Sequence, residues 1–265
     1  MNKCVVCCPV SEGCLDIDKA IDNMEKMGEV FSDYRVLIFY DGASSYTLDT
    51  ILERMNNNER INLLVNATYK SKRETTHNLA NARNKLLEKA LMSDFEYLIM
   101  MDCDANSTLP VNLDVLERCI SRKDWNGMTF CLRNGETNLA HLSLDNAIMG
   151  VDNFNDPITK SIYRKEIEKR LANTTSNKLL RVFSAFNSLA IYRLQKFRQS
   201  RYDGKPRRDY VPSFLVERTP KMLGNIVYRP TSHGEEEQDS EHRAFHLHAV
   251  MKYNAKMCIS PECIF

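Results

Sequence analysis

Short apolar runs alternate with segments of helical spacing along the first hundred residues of the chain. Four of the runs have the length of a strand: 3–8, 35–40, 61–66 and 97–101. Three segments between them repeat apolar residues every three or four positions, as one face of a helix does: 15–27, 46–55 and 75–91. Because strands that alternate with helices form parallel sheets with helical crossovers, the pattern predicts an α/β fold with a mostly parallel central sheet flanked by helices.

The pattern is less regular in the second half of the chain. It predicts three helices, over 112–121, 160–172 and 241–252, and two strands, over 128–130 and 256–259. Residues 181–192 have the pattern of two short strands that meet at a bend, and the proline-containing segment 202–230 is typical of a loop. The polar stretch 134–157 fits a substrate-binding loop and a surface elaboration equally well.

Composition favours one domain and excludes several classes of protein. The 265 residues are 43% hydrophobic, which suffices for one sizeable core, so we predict a single domain over 1–265. A net charge of +1 gives no strong attraction to nucleic acid or to an anionic membrane. No run approaches the ~20 apolar residues of a membrane span, and no signal peptide is recognisable. We expect a cytoplasmic protein.

The nine cysteines are an odd number, and most fall in predicted strands and helices. Buried reduced thiols explain them best, and we count Cys103 among these. Cys4 and Cys7 have a zinc-like spacing, but no second pair stands at the required distance. A strand would also place their side chains on opposite faces, so a zinc site is not expected.

Two carboxylates follow the fourth apolar run, in the sequence Asp102-Cys103-Asp104. Residues two apart at the end of a strand point to the same side, ~7 Å apart along the chain. In an open α/β sheet, ligands bind at the carboxyl ends of the strands. Carboxylates together with substrate phosphates are what Mg²⁺ or Mn²⁺ prefers. The motif therefore predicts a divalent-metal site for a nucleoside diphosphate.

Motifs in a fixed order extend this prediction. The first predicted strand ends near Pro9, the second runs into Asp41, and the helix that opens with 78–84 (NLANARN) precedes the strand and Asp-Cys-Asp. This order resembles the nucleotide-sugar glycosyltransferases of the GT-A fold. The resemblance implies a Rossmann-like domain with a nucleotide-binding half (1–106) and an acceptor-binding and catalytic half (107–265). The lack of an anchor resembles bacterial and large-DNA-virus members.

The resemblance also implies roles for particular residues. Asp41 would accept a hydrogen bond from the nucleoside base, Arg83 would lie against the base or reach a phosphate, and the backbone at Pro9 would meet the nucleoside. Asp104 would bind Mn²⁺ or Mg²⁺ directly, and Asp102 would share the metal or contact the ribose. The segment 181–192 resembles the acceptor side of capsule-type and viral members, in which a glycine often stands where this chain has Asn187 or Ser188.

A late acidic motif supplies the candidate base. Glu241, at the head of a predicted helix, resembles the acidic pair of inverting members, but His242 replaces the second acid. His242 would then orient the base or serve as a third metal ligand. His246 lies four residues further along the same helical face, so the pair is also a possible metal-binding pair. Inversion and retention of configuration both remain open.

Three functions are compatible with these residues. The favoured one is a metal-dependent glycosyltransferase that moves a sugar from a UDP- or GDP-sugar to a hydroxyl of a glycan or glycoconjugate acceptor. A nucleotidyltransferase shares the sheet order and the metal carboxylates, but it needs a glycine-rich phosphate loop where this chain has a single glycine, Gly13. The third is a non-catalytic sugar-binding or scaffold protein on the same fold.

Overall fold

The computed structural model describes residues 2–10, 14, 16–42, 45–66, 76–133, 135–174, 178–223, 227–233 and 236–265. Its strands are β1 Lys3–Val10, β2 Asp33–Tyr40, β3 Ile61–Val65, β4 Tyr97–Met101, β5 Gly127–Cys131, β6 Leu180–Val182, β7 Leu189–Arg193, β8 Thr231–His233, β9 Glu236–Gln238 and β10 Met257–Cys263. Its α-helices are α1 Ile17–Glu29, α2 Ser45–Asn57, α3 Thr76–Leu91, α4 Leu113–Ser121, α5 Pro157–Ala172, α6 Ser213–Leu223 and α7 Glu241–Tyr253.

One sheet takes strands from both halves of the chain, in the order β3-β2-β1-β4-β7-β5-β10-β6. The pairs β1–β2, β1–β4, β2–β3 and β5–β10 are parallel, whereas β7 runs antiparallel between β4 and β5, and β6 runs antiparallel to β10. The predicted α/β fold with a mostly parallel sheet is confirmed. Because β1, β2 and β4 are parallel, their carboxyl ends lie at one edge of the sheet.

The two faces of the sheet carry separate apolar layers, as the period of two along a strand requires. In β1, Val5 and Cys7 belong to one layer, and Cys4, Val6 and Cys8 belong to the other. Cys4 and Cys7 therefore point to opposite faces, as predicted. Six cysteines are free and buried: Cys4, Cys7, Cys8, Cys119, Cys131 and Cys258.

The prediction for Cys103 is wrong. This residue is not a free thiol but is disulfide-bonded to Cys14, 89 residues earlier in the chain. The two partners come together because Cys14 precedes α1 and Cys103 follows β4, and both segments lie at the same edge of the sheet. Asn23 of α1 makes a second link to that segment, donating hydrogen bonds of 2.7 Å to the carbonyls of Ser107 and Leu109.

Two segments differ from the sequence-based expectations. Residues 135–157 are not surface elaboration, since they contain short 3₁₀ turns and bury apolar side chains such as Leu142, Leu144 and Ile148. The segment 202–230 is not a plain loop, because α6 forms within it even though Pro220 lies inside the helix. Residue 75, the first of the helix predicted over 75–91, and Gly13 lie outside the described residues. Within the described residues, no helix combines the length and apolar character needed to cross a bilayer.

Candidate active site

The carboxyl ends of the parallel strands bring several of the predicted residues to one edge of the sheet. Pro9 lies at the end of β1, Asp41 directly follows β2, and Asp102 directly follows β4. All three are partly exposed. The Asp41 carboxylate accepts a hydrogen bond of 2.9 Å from the side-chain amide of Asn66, which fixes its orientation next to β3. This edge therefore offers fixed polar groups to a ligand.

The Asp104 carboxylate is held by neutral donors. Its Oδ1 accepts the backbone N–H groups of Asn106 (2.9 Å) and Ser107 (3.1 Å), which closes a turn directly after β4. Its Oδ2 accepts a hydrogen bond of 2.5 Å from the hydroxyl of Ser188. No cation is paired with Asp104 among the described residues, so this carboxylate has no counterion there.

Arg83 occupies the centre of the site. Its Nη2 donates to Asp102 Oδ1 at 2.7 Å and its Nε donates to Glu241 Oε1 at 3.1 Å. The side chains of Arg83 and Glu241 are each 2% exposed, whereas that of Asp102 is 30% exposed. The third nitrogen of the guanidinium, Nη1, is buried without a hydrogen-bond partner. Arg83 therefore links the end of β4 to the first residue of α7.

Burial and the neighbouring charges have opposite effects on the pKa values of Asp102 and Arg83, which form a buried ion network with Glu241. Burial raises the pKa of Asp102, and the Arg83 guanidinium opposes that rise. The pKa of Arg83 is raised, because the attraction of Asp102 and Glu241 outweighs the cost of burying the guanidinium. A buried ion pair of this kind needs all of its partners, since removing one leaves an uncompensated charge.

His242 lies in an apolar stack. Its ring packs on Phe186 with centroids 3.6 Å apart, and the ring of Tyr202 meets it edge-on at 5.3 Å. Both ring nitrogens are buried without hydrogen-bond partners, although Nε2 lies 3.5 Å from Glu241 Oε1. Burial lowers the pKa of His242 well below its usual value, so the ring is neutral at physiological pH.

The other late histidines are anchored elsewhere. His246 uses both ring nitrogens, with Ser184 Oγ at 3.0 Å and Tyr192 Oη at 2.9 Å. His248 bonds through Nδ1 to Ser200 Oγ at 3.1 Å. Within the described part of the chain, no three His, Cys, Asp or Glu side chains form a group that could hold a metal, and the role of His242 as a third metal ligand stays a prediction.

The two aspartates still fit a hard divalent cation. Mg²⁺ and Mn²⁺ prefer oxygen donors, and Mg²⁺ is usually held by one or two carboxylates, with substrate phosphates and water completing its coordination. Asp104 has no counterion among the described residues, and Asp102 retains one oxygen that Arg83 does not use. Asp104 and Asp102 would therefore hold the cation.

Two residues of the site were not predicted from the sequence. His141 packs edge-on against Phe186 and His242, and its Nδ1 lies 2.6 Å from Ser240 Oγ at the start of α7. Nothing in its local sequence indicated this position. Ser188 has a positive φ of 63°, the backbone conformation that glycine adopts most readily. The frequent glycine at this position in the resembled enzymes was the available signal.

Comparison with solved structures identifies the fold. The crystal structure of S. aureus TarS 1–349 in complex with UDP-GlcNAc matches with a TM-score of 0.51 and 14% sequence identity, over 100% of this chain and 57% of that one. The chain has the GT-A glycosyltransferase fold. The predicted resemblance is confirmed at this level, and the chain spans less than two thirds of the length of TarS 1–349.

Two further solved structures match with lower TM-scores. A mannosyltransferase from Pyrobaculum calidifontis, in complex with GDP-Man and Mn²⁺, matches with a TM-score of 0.45 and 12% identity, over 97% of this chain and 56% of that one. Glucosyl-3-phosphoglycerate synthase from Mycobacterium tuberculosis, in complex with Mn²⁺, UDP and glucosyl-3-phosphoglycerate, matches with a TM-score of 0.43 and 8% identity, over 74% of this chain and 58% of that one. No protein-family model and no curated protein matches the sequence.

Proposed function

We propose that the chain is a metal-dependent glycosyltransferase that moves a sugar from a nucleoside-diphosphate sugar to a hydroxyl of a glycan or glycoconjugate. The observation that carries this proposal is the convergence of Asp102, Asp104 and Glu241 at the carboxyl edge of a GT-A sheet. Sugar transfer from a nucleoside diphosphate needs carboxylates that hold a cation at the phosphates and a base for the acceptor hydroxyl. Two partly exposed carboxylates and a buried third one at this edge of the sheet can supply them.

The first role is to hold the diphosphate. Asp104 is the direct metal ligand in this proposal, because neutral donors leave its charge uncompensated. Asp102 shares the cation or contacts the ribose through the oxygen that Arg83 does not use. A bound divalent cation would stabilise the negative charge that develops on the departing diphosphate.

The second role is to bind the nucleoside. Asp41 and the backbone at Pro9 lie at the ends of neighbouring strands, within reach of one extended ligand along the edge. Arg83 acts here through the carboxylates that it holds, since two of its nitrogens are already bonded. The nucleotide in the TarS complex, UDP-GlcNAc, makes a UDP-sugar the first donor to test.

The third role is to accept the proton of the attacking hydroxyl, and we assign it to Glu241. Its Oε1 accepts a hydrogen bond of 3.1 Å from Arg83 Nε, which holds the carboxylate at the first residue of α7, and a carboxylate is a common general base. His242, neutral and stacked on Phe186, is assigned to orient Glu241 rather than to bind metal. The low exposure of Glu241 favours the alternative of a non-catalytic sugar-binding protein, in which Glu241 serves only as a partner of Arg83.

Binding and turnover together test the proposal. Titration calorimetry with UDP, GDP and their common sugar conjugates, with and without Mn²⁺, is expected to show metal-dependent binding to wild-type protein. Asp104→Asn is expected to lose it, and Asp114→Asn, on the exposed face of α4, is the matched control. A nucleotidyltransferase would instead bind a nucleoside triphosphate with Mg²⁺ and release pyrophosphate.

Release of UDP or GDP from the bound sugar donor distinguishes an enzyme from a scaffold. Wild-type protein is expected to release the nucleoside diphosphate slowly with water as acceptor, and faster with a suitable glycan. Glu241→Gln is expected to bind the donor as wild type does and to lose at least 100-fold in rate, in line with general-base catalysis (about 10²–10⁴-fold). Binding of no diphosphate nucleotide, with or without metal, would refute the transferase assignment.

A further inference from the structure

Ser188 adopts a backbone conformation that serine rarely takes. Its φ is 63°, in the left-handed region that side chains with a Cβ avoid and glycine enters freely. The residue is only 8% exposed and sits at the bend that leads into β7, the strand paired with β4. A serine held in this conformation indicates that the side chain supplies something a glycine would not.

The backbone of Ser188 contacts Asp102, the first residue of the Asp102-Cys103-Asp104 motif. Its carbonyl accepts the N–H of Asp102 at 2.8 Å, which continues the pairing of β4 with β7 beyond the last strand residue. Any residue in this conformation, glycine included, would make that bond. The backbone contact therefore explains the positive φ but not the choice of serine.

The hydroxyl of Ser188 contacts Asp104, the last residue of the motif. It donates to Asp104 Oδ2 at 2.5 Å and accepts from the side-chain amide of Asn106 at 3.0 Å. With Oδ1 of Asp104 held by two backbone N–H groups, the Ser188 hydroxyl fixes the second oxygen and hence the plane of the carboxylate. Carboxylates that bind metals are commonly oriented by hydrogen bonds of this kind.

We propose that Ser188 is a positioning residue that aims the Asp104 carboxylate at the divalent cation of the donor site. The inference rests on the proposed function, because it requires a cation at Asp104. It adds a residue that acts on the cation through Asp104. It also gives a reason for the strained serine: the left-handed backbone brings the hydroxyl within reach of Asp104.

Two substitutions separate the hydroxyl from the backbone. Ser188→Gly removes the hydroxyl and relieves the strain, and Ser188→Ala removes the hydroxyl and keeps the strain. We expect both variants to bind Mn²⁺ in the presence of UDP or GDP about 10–100-fold more weakly than wild type, the usual cost of losing such a partner. Their melting temperatures are expected to differ, with Ser188→Ala about 2–4 °C below Ser188→Gly.

A control variant tests whether the loss of any buried serine hydroxyl weakens Mn²⁺ binding. Ser200→Ala removes another buried serine hydroxyl, the one bonded to His248, and is expected to keep the wild-type affinity for Mn²⁺. Nucleotide affinity without Mn²⁺ is expected to be equal in all of these proteins. If Ser188→Ala does not fold, Ser188→Gly carries the test alone, because glycine suits the backbone at this position.

The outcomes distinguish this inference from the proposed function. If Ser188→Gly binds Mn²⁺ within about twofold of wild type while Asp104→Asn binds none, the hydroxyl has no positioning role and the inference is overturned, but the metal site stands. If wild-type protein binds no Mn²⁺ with either nucleotide, there is no cation for Ser188 to serve, and both proposals are overturned. Equal loss in the two Ser188 variants, with Ser200→Ala unaffected, supports the inference.

Discussion

Replacing Arg83 with methionine removes the only cation that contacts Asp102 and Glu241 among the described residues, and keeps most of the side-chain volume. Glu241 would remain with a side chain 2% exposed and no charge partner in the site. Breaking a buried pair in this way costs about 3–5 kcal/mol, because the remaining charge is desolvated and uncompensated. Asp102 adds about 1 kcal/mol at most, since its side chain is 30% exposed and stays hydrated.

We therefore expect Arg83→Met to lower the free energy of unfolding by about 4 kcal/mol, out of the about 5–15 kcal/mol typical of a folded domain. Urea denaturation followed by circular dichroism measures the change. Arg118→Met is the matched control, because Arg118 pairs with Glu262 at a similar distance of 2.6 Å but its side chain is 55% exposed. Water screens an exposed pair of this kind, so we expect a much smaller loss of stability for Arg118→Met than for Arg83→Met.

A second substitution tests the physical reason for the loss. The double variant Arg83→Met, Glu241→Gln has no unpaired carboxylate at the first residue of α7. We therefore expect its free energy of unfolding to be about 1–3 kcal/mol higher than that of Arg83→Met alone. Two results would refute the reasoning. One is a loss no larger than that of Arg118→Met, and the other is a double variant no more stable than Arg83→Met.

Two further predictions concern a buried histidine and the disulfide. Burial lowers the pKa of His246 to about 3, so the unfolded chain takes up a proton below pH 6.5 that the folded chain does not. Stability should therefore fall by about 1.4 kcal/mol per pH unit as the pH drops from 6.5, and His246→Gln should remove this share of the slope in urea denaturation between pH 7 and pH 5. Reducing the Cys14–Cys103 disulfide, which closes a loop of 89 residues, should cost about 2–4 kcal/mol, measured as a lower melting temperature in reductant.

Each of these predictions has a clear contradicting result. Equal slopes for wild type and His246→Gln over that pH range would mean that His246 is protonated as readily in the folded chain as in the unfolded one. A wild-type melting temperature that reductant leaves unchanged would contradict the disulfide prediction. The variant in which Cys14 and Cys103 are both serine is the control, because its melting temperature should not respond to reductant at all.

Local patterns account for the part of the fold that the sequence predicted. The strands and the helices between them were predictable because a period of two or of 3.6 is a property of a few neighbouring residues. The same holds for the position of Asp102 and Asp104 at the end of a strand. Helix α6 was not predicted because Pro220 and the surrounding prolines favour a loop, whereas packing, including the buried Leu215, overrides that preference.

Contacts between distant segments account for what was missed. Arg83 and Glu241 are 158 residues apart, and Cys14 and Cys103 are 89 apart, so neither pairing has a local signal. The sequence favoured a role for Arg83 at the nucleotide, which stays a prediction, and it gave no sign that Arg83 bonds to two carboxylates. Such pairings depend on the order of the strands, which brings the end of β4 next to the first turn of α7.

The partners of the two aspartates give them different electrostatic roles. Asp102 faces a guanidinium, which compensates its charge, whereas Asp104 is held by amide and hydroxyl groups, which orient its carboxylate without neutralising it. A divalent cation is therefore attracted more strongly to Asp104. The formal charges of Asp102, Asp104, Glu241 and Arg83 sum to −2, which one divalent cation balances. Without that cation the same charges repel a nucleoside diphosphate, which is the physical reason to expect donor binding to require metal.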